Sequence, residues 1–277
     1  IITSSEAVYK RNTELIAKAV ETTFLKKHIP GIHLEGPFIS PEDGFRGVHH
    51  KEWVHKPDAE YLQRIIDWSG NFIRFITIAS EVQGADTLCR YAASKGIVVS
   101  LGHQNSRKDD LARLAAAGAK CITHMGNGIP QMIHRYENTL WPAMLNRDLT
   151  GLVITDGFHL SKELLEIMYR LKGVDKLIAT SDISPVGGLA PGTYQLLGVE
   201  SVLEESGKLH CPQTNSLAGS SFPMIRCANF LLSCDFISLQ DVEKMIYYNP
   251  LKMLNIPVDK TNWQALVTLE GKKYICK

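Results

Sequence analysis

The chain has no surplus of either charge: thirty Lys and Arg stand against twenty-nine Asp and Glu. Without a broad positive field there is little to hold a phosphate backbone, so nucleic acid is not an expected partner, and only a local anion pocket stays open. The six cysteines (Cys89, Cys121, Cys211, Cys227, Cys234 and Cys276) form no Cys-x-x-Cys pair and no tight framework. That pattern suits free thiols in a reducing compartment, with the cytoplasm as the default location. Long apolar runs are missing too. The most apolar stretch near the start, residues 17–24, carries Glu21 and continues into Lys26 and Lys27, so it reads as a helix and not as a signal peptide or a membrane span. Gly187-Gly188 and Leu217-Ala218-Gly219-Ser220 are accompanied by neither Gly-x-Gly-x-x-Gly nor a phosphate-loop lysine. Trp53, Trp68, Trp141 and Trp263 are too scattered for a base-stacking surface.

What is present is a regular alternation. Apolar, β-rich runs at 32–34, 72–79, 97–101, 121–124, 152–155 and 177–180 are interleaved with helical patterns at 6–27, 58–68, 85–94, 108–117 and 162–171. Strand and helix in turn predict a parallel sheet with crossover helices. Ile1-Ile2-Thr3 looks like the end of a further buried strand. A β/α barrel closes with eight, so the reading places the remaining strand upstream of Ile1. A doubly wound open sheet fits the alternation as well. The positions of the polar residues favour the barrel: Glu35, His103, His124, Asp156 and Asp182 each fall at or just beyond the end of a different strand, and a barrel gathers all such ends at one mouth.

The later region changes character. Gly187, Gly188, Pro191 and Gly192 make a loop, 194–204 a small hairpin or excursion, and 221–232 an apolar helix. Ser238 caps another helix with Asp241 as its capping-box partner. Pro250 and Pro257 bracket a short turn or helix, and 265–275 reads as two strands around a Glu270-Gly271 turn with no obvious partner. The division expected is an incomplete barrel over 1–254 and, over 255–277, the last strands of a small β domain whose other part is N-terminal.

The segment Gly31-Ile32-His33-Leu34-Glu35-Gly36-Pro37-Phe38 carries the strongest local signal. Alternation puts His33 and Glu35 on one side of the strand, and Gly36-Pro37 stops it just after the carboxylate. A buried glutamate needs a partner or a metal; capping of backbone N–H groups is the alternative. His33 reads as a hydrogen-bonded supporting histidine. His103 and His124 end two other strands, and with Glu35 they make a two-histidine, one-carboxylate set suited to a first-row metal that keeps a position for water. Asp156 and Asp182 are the remaining candidates for moving protons, or simple turn formers, and spacing does not choose between them. Asn127-Gly128-Ile129-Pro130 is a sharp turn followed by His134 and Arg135. An arginine fork suits phosphate, or it is a solvated surface group. His159 suits a sugar hydroxyl or a polar loop role.

In this order these residues resemble the N-acetylglucosamine-6-phosphate deacetylases of the amidohydrolase superfamily, from Ile1 to the terminal hairpin, with His33-Leu34-Glu35-Gly36-Pro37-Phe38 close to that family's most distinctive motif. The resemblance implies a metal-dependent hydrolase with a (β/α)8 TIM barrel. One divalent metal would be held by Glu35, His103 and His124, with zinc expected and iron or cobalt as the others. Asp182 would be the catalytic acid/base. Asn127, Gly128 and Arg135 would contact the sugar phosphate, Arg135 across a homodimer interface. His159 and His49 would contact substrate, and Leu217, in the 217–220 loop, would close over the acetyl end. The sequence departs from the family pattern where Gln104 follows His103, and where Met125-Gly126-Asn127-Gly128 replaces bulkier residues. The implied reaction is hydrolysis of the acetamido group of N-acetylglucosamine 6-phosphate. Other readings are an amidohydrolase of a different amide or an unphosphorylated acetamido sugar, and a noncatalytic sugar-phosphate binding protein.

Overall fold

A strand covered on both faces carries apolar residues almost continuously, and the runs picked out above become the parallel strands of the fold. The computed structural model describes residues 1–21, 24–196, 198–213, 216–258 and 266–277; Trp263 and the start of the expected strand at 265 lie outside them. The chain divides into two compact units, Ile1–Thr123 with Gly128–Leu149, and His124–Asn127 with Thr150–Lys277.

In the first unit, β1 (Ile32–Glu35), β2 (Ile73–Ile78), β3 (Val98–Leu101) and β4 (Cys121–Ile122) lie side by side in chain order, all parallel. Glu35 is level with Thr77, and Ile78 with Leu101, so the carboxyl ends of the strands share one edge. Leu34, Ile76, Val99 and Leu101 are fully buried. The connections are helical: α1 (Glu6–Glu21), α2 (Ala59–Trp68), α3 (Ala85–Ser94), α4 (Lys108–Ala116) and the short α5 (Leu140–Leu145). Asp58 caps α2 by accepting from the N–H groups of Glu60 and Tyr61, a contact that stabilises a helix start by about 1 kcal/mol. The Ile1-Ile2-Thr3 stub flanks β1 through a parallel bridge from Ile2 to Glu35.

The second unit contains β5 (Thr150–Ile154) and β6 (Leu177–Thr180), parallel, with α6 (Lys162–Lys172) between them. Just past β6 the chain leaves the parallel strands for an antiparallel sheet, β7 (Gly192–Leu196), β8 (Val199–Leu203), β9 (Leu209–Cys211) and β10 (Ser216–Leu217). This sheet has its own core of Val186, Leu196, Leu203, Leu209 and Ala218. The excursion closes on itself: Ser220 N–H donates to the Asp182 carbonyl at 2.9 Å, and Ser184 N–H to the Ser220 carbonyl at 2.8 Å. Helices α7 (Met224–Leu232), α8 (Leu239–Glu243) and α9 (Asn249–Met253) follow, then the hairpin β11 (Val267–Glu270) and β12 (Lys273–Cys276). The alternation is that of a partial β/α barrel carrying a small β region.

Several local readings change. Of the helix expected over 6–27, Glu6–Glu21 is α-helical and Phe24–Lys27 is a 3-10 turn. Pro250 does not stand outside a helix but is the second residue of α9, which follows directly on the π-helical turn Lys244–Tyr248. The terminal hairpin does have a partner: Asn229 on α7 donates to the Tyr274 carbonyl at 2.9 Å and accepts the Tyr274 N–H at 2.7 Å. Among the described residues no helix is long and apolar enough to cross a membrane.

Candidate metal centre

The end of β1 sets up the site. Ile32 and Leu34 are buried on one side, which turns His33 and Glu35 to the other, as the alternation requires. His33 Nε2 meets Thr77 Oγ1 at 2.8 Å, Thr77 Oγ1 meets Thr123 Oγ1 at 2.8 Å, and Thr123 Oγ1 donates to Ser100 Oγ at 2.6 Å. His33 is therefore tied into a buried polar layer of the sheet. Gly36 follows in the left-handed region at φ 94°, and a Cβ there would lie 2.0 Å from Thr3 Oγ1, so the turn after Glu35 demands glycine.

Glu35 faces two imidazoles. Its Oε1 is 3.3 Å from His103 Nε2, its Oε2 is 3.8 Å from His49 Nε2, and the two rings lie 4.4 Å apart. All three side chains are largely withdrawn from solvent. Among the described residues, Glu35, His49 and His103 are the His, Cys, Asp and Glu group whose potential ligand atoms all fall within 4.8 Å of one another.

Hydrogen bonds behind the rings fix the proton positions. His103 Nδ1 lies 2.9 Å from the Phe45 carbonyl, which only accepts, so Nδ1 carries a proton and, in the neutral ring, Nε2 has the lone pair. His49 Nδ1 lies 2.8 Å from Thr3 Oγ1, whose own proton goes to the Glu35 carbonyl at 3.1 Å. His49 Nδ1 is then also the donor. A second contact, Thr3 N–H to His49 Nδ1 at 3.4 Å, would need the opposite proton position, and the shorter bond decides. With both rings neutral, two nitrogen lone pairs and a carboxylate point at one another, which is repulsive unless positive charge lies between them. Two imidazoles and a carboxylate with ordered outer contacts fit a divalent metal.

The other candidates take the following places. His103 has φ 49°, His124 φ 27° and Asp182 φ 48°. Left-handed backbone is costly for residues with a side chain and collects at functional sites. Asn71 and Asn255 are the other non-glycine residues with positive φ among those described. His124 belongs to the second unit; it is buried, and its carbonyl accepts from Asn127 N–H at 2.8 Å. Asp182 is held by the closure of the antiparallel excursion, and Leu217 lies half-buried on β10 of that excursion.

Asp156 and His159 form a buried pair at 2.7 Å between Oδ2 and Nδ1. Burial alone would raise the Asp156 carboxyl; the His159 hydrogen bond and charge, with the N–H groups of His159 and Phe158, outweigh it and hold the group below the usual carboxylate range. Arg135 is exposed and stacks on the Tyr136 ring at 4.5 Å. Gly128, in the same unit, turns the chain at φ 63°, while Asn127, half-buried, belongs to the second.

Sequence reading assigned His49 to substrate and did not place it beside Glu35 and His103. The available signal was a histidine in the loop that follows a strand ending in Glu-Gly-Pro. Thr3 and the Phe45 carbonyl, which orient the rings, gave no signal at all.

No protein-family model matches the chain. The N-acetylglucosamine-6-phosphate deacetylase of Bacillus subtilis is 30% identical over 238 residues, 86% of this chain and 59% of that protein. This chain is a homologue of the N-acetylglucosamine-6-phosphate deacetylases. An N-acetylgalactosamine-6-phosphate deacetylase of Shewanella is 26% identical over 265 residues, covering 93% of this chain and 63% of that one. The Mycobacterium smegmatis N-acetyl-D-glucosamine-6-phosphate deacetylase, solved as a mutant in complex with N-acetyl-D-glucosamine-6-phosphate, shares the fold with a TM-score of 0.84 at 23% identity, over 93% of this chain and 67% of that one. The homologue spans about three-fifths of the length of the curated relatives it matches.

Proposed function

We propose that this chain carries the catalytic part of a metal-dependent deacetylase that hydrolyses the acetamido group of N-acetylglucosamine 6-phosphate to glucosamine 6-phosphate and acetate. The observation that carries the reading is the convergence of Glu35, His49 and His103 in a chain homologous to such deacetylases. Bound there, a divalent metal, zinc in this proposal, would polarise a carbonyl and acidify water.

Glu35 and His103 are the first two ligands of the reading, with His124 as a further nitrogen donor. Asp182 accepts a proton from the attacking water and returns it to the leaving amine, since one carboxylate serves both steps in turn. The left-handed backbones of His124 and Asp182 support these roles. His159 contacts the substrate near the reacting amide and Leu217 covers its acetyl end. Asn127, Gly128 and Arg135 hold the phosphate, spending binding energy far from the broken bond on placement. His49 stays beside the ligands, in contact with substrate or with the ion.

The reading includes a homodimer that brings Arg135 to a neighbouring site, a cytoplasmic location, and a division into a catalytic part over 1–254 and a β part over 255–277. Met132, Tyr136, Trp141 and Leu145, all exposed, with Met132 at 90%, support an apolar contact around Arg135.

The test is acetate release from N-acetylglucosamine 6-phosphate by protein of defined zinc content, beside the galactosamine epimer, the unphosphorylated sugar and the Asp182→Asn variant. Metal-dependent release that prefers the phosphorylated glucosamine substrate and collapses in Asp182→Asn is the expected result. Equal rates with and without metal, or in the two proteins, would overturn it.

A further inference from the structure

Asp156 has no part in the chemistry above, yet it is one of the most elaborately bonded carboxylates of the second unit. Its side chain and that of His159 are 3% and 5% exposed. Oδ1 accepts the N–H groups of Phe158 at 2.9 Å and His159 at 3.0 Å, while Oδ2 meets His159 Nδ1 at 2.7 Å. The turn between them is fixed as well: Gly157 has φ 84°, and a Cβ there would lie 2.9 Å from the Phe230 ring. The nearby titratable neighbour is Cys227, whose burial pushes its thiol up to about 12, so it stays neutral beside the carboxylate.

An ionised carboxylate only accepts hydrogen bonds. With both backbone N–H groups on Oδ1, the contact at Oδ2 must be a proton on His159 Nδ1. We propose that Asp156 is a positioning residue: by holding the Nδ1 proton of His159 it fixes the ring and makes Nε2 the one nitrogen offered to a ligand. Any proton that His159 gives or takes then passes through Nε2. The proposal rests on the reading of His159 as a substrate contact, and it deepens that reading by naming the atom.

Asp156→Asn separates this role from a merely structural one. The amide oxygen can keep both backbone N–H bonds of the turn, which leaves the amide N–H₂ facing Nδ1. Nδ1 must then become the acceptor, and the proton moves to Nε2. The same exchange of carboxylate for amide produces the wrong tautomer in hydrolase triads.

The experiment is ¹⁵N-histidine NMR of zinc-loaded wild-type and Asp156→Asn protein, with His159→Gln to assign the signal. It is paired with kcat/KM for N-acetylglucosamine 6-phosphate across pH. The expected result is Nδ1–H in the wild type and Nε2–H in Asp156→Asn, with kcat/KM lowered at least roughly 10- to 100-fold, the scale seen when the orienting partner of a metal-bound histidine is lost. Nε2–H in the wild type, an unchanged tautomer in the variant, or full kcat/KM in a variant whose tautomer has switched would each overturn the proposal. If circular dichroism finds the variant unfolded, the wild-type tautomer decides alone. The NMR arm needs no substrate, so a wild-type protein that releases no acetate sinks the deacetylase reading and leaves the tautomer result to be judged by itself.

Discussion

Glu35 Oε1 and His103 Nε2 face each other at 3.3 Å while the far nitrogen of the same ring is occupied by the Phe45 carbonyl at 2.9 Å. A backbone carbonyl cannot donate, so it decides the tautomer of His103 before any ion arrives. The nitrogen lone pair is aimed at the carboxylate in advance, and a cation entering between them meets ligands already oriented.

Zinc should therefore stabilise the folded protein. At a free concentration one hundred times the dissociation constant the gain is about 2.7 kcal/mol, visible as a higher unfolding temperature in scanning calorimetry and reversed by a chelator. Glu35→Gln should lose that response together with bound metal measured by plasma mass spectrometry. A zinc-independent unfolding temperature in the wild type would count against the site.

Asp182→Asn should bind metal as the wild type does and lose turnover by about 100-fold or more, the usual share of a general acid/base. Metal content and kcat measured on one preparation check this. Parallel loss of both would make Asp182 a ligand instead of a proton carrier.

Arg135→Ala should raise KM for the phosphorylated sugar by roughly 10- to 100-fold, matching the about 1.5 to 3 kcal/mol expected for a hydrogen bond to a charged group, and leave the unphosphorylated analogue almost unaffected. Steady-state kinetics with both substrates decides, and equal effects on the two would remove Arg135 from phosphate recognition.

Glu81 supplies a pH prediction. Burial raises its carboxyl above the ordinary 4.5, against the lowering effect of the Asn105 N–H it accepts at 2.9 Å. An acid whose folded value is raised holds its proton more tightly when folded, so its contribution is most favourable below 4.5 and is lost as pH rises through the folded value. Glu81→Gln, which can still accept from Asn105, should raise the unfolding temperature at pH 8 and change it little at pH 4. The reverse ordering in a pH series of thermal melts would contradict the assignment.

The parallel strands and the helix Ala85–Ser94 were legible because burial on two faces and a helical period leave repeated marks in the sequence. Helix α5 left none: six residues complete too few turns to show a period, and Pro142 sits inside it. The docking of the terminal hairpin was invisible for another reason, since Asn229 and Tyr274 are far apart in the chain and one amide carries the link. Glu35 and His103 announced themselves through strand-end positions. His49 stands on a loop, where no periodicity says which way a side chain points, and its neighbours emerge only once Thr3 is beside it.

The antiparallel sheet that departs beyond Asp182 is stitched shut at its feet by Ser184 and Ser220 and keeps a private interior. Such a graft can drift, lengthen or be exchanged without tugging on the strand it grew from. Variation between relatives should accumulate in its outer turns, while the two serine backbone bonds hold the seam where it leaves and rejoins the chain beyond β6.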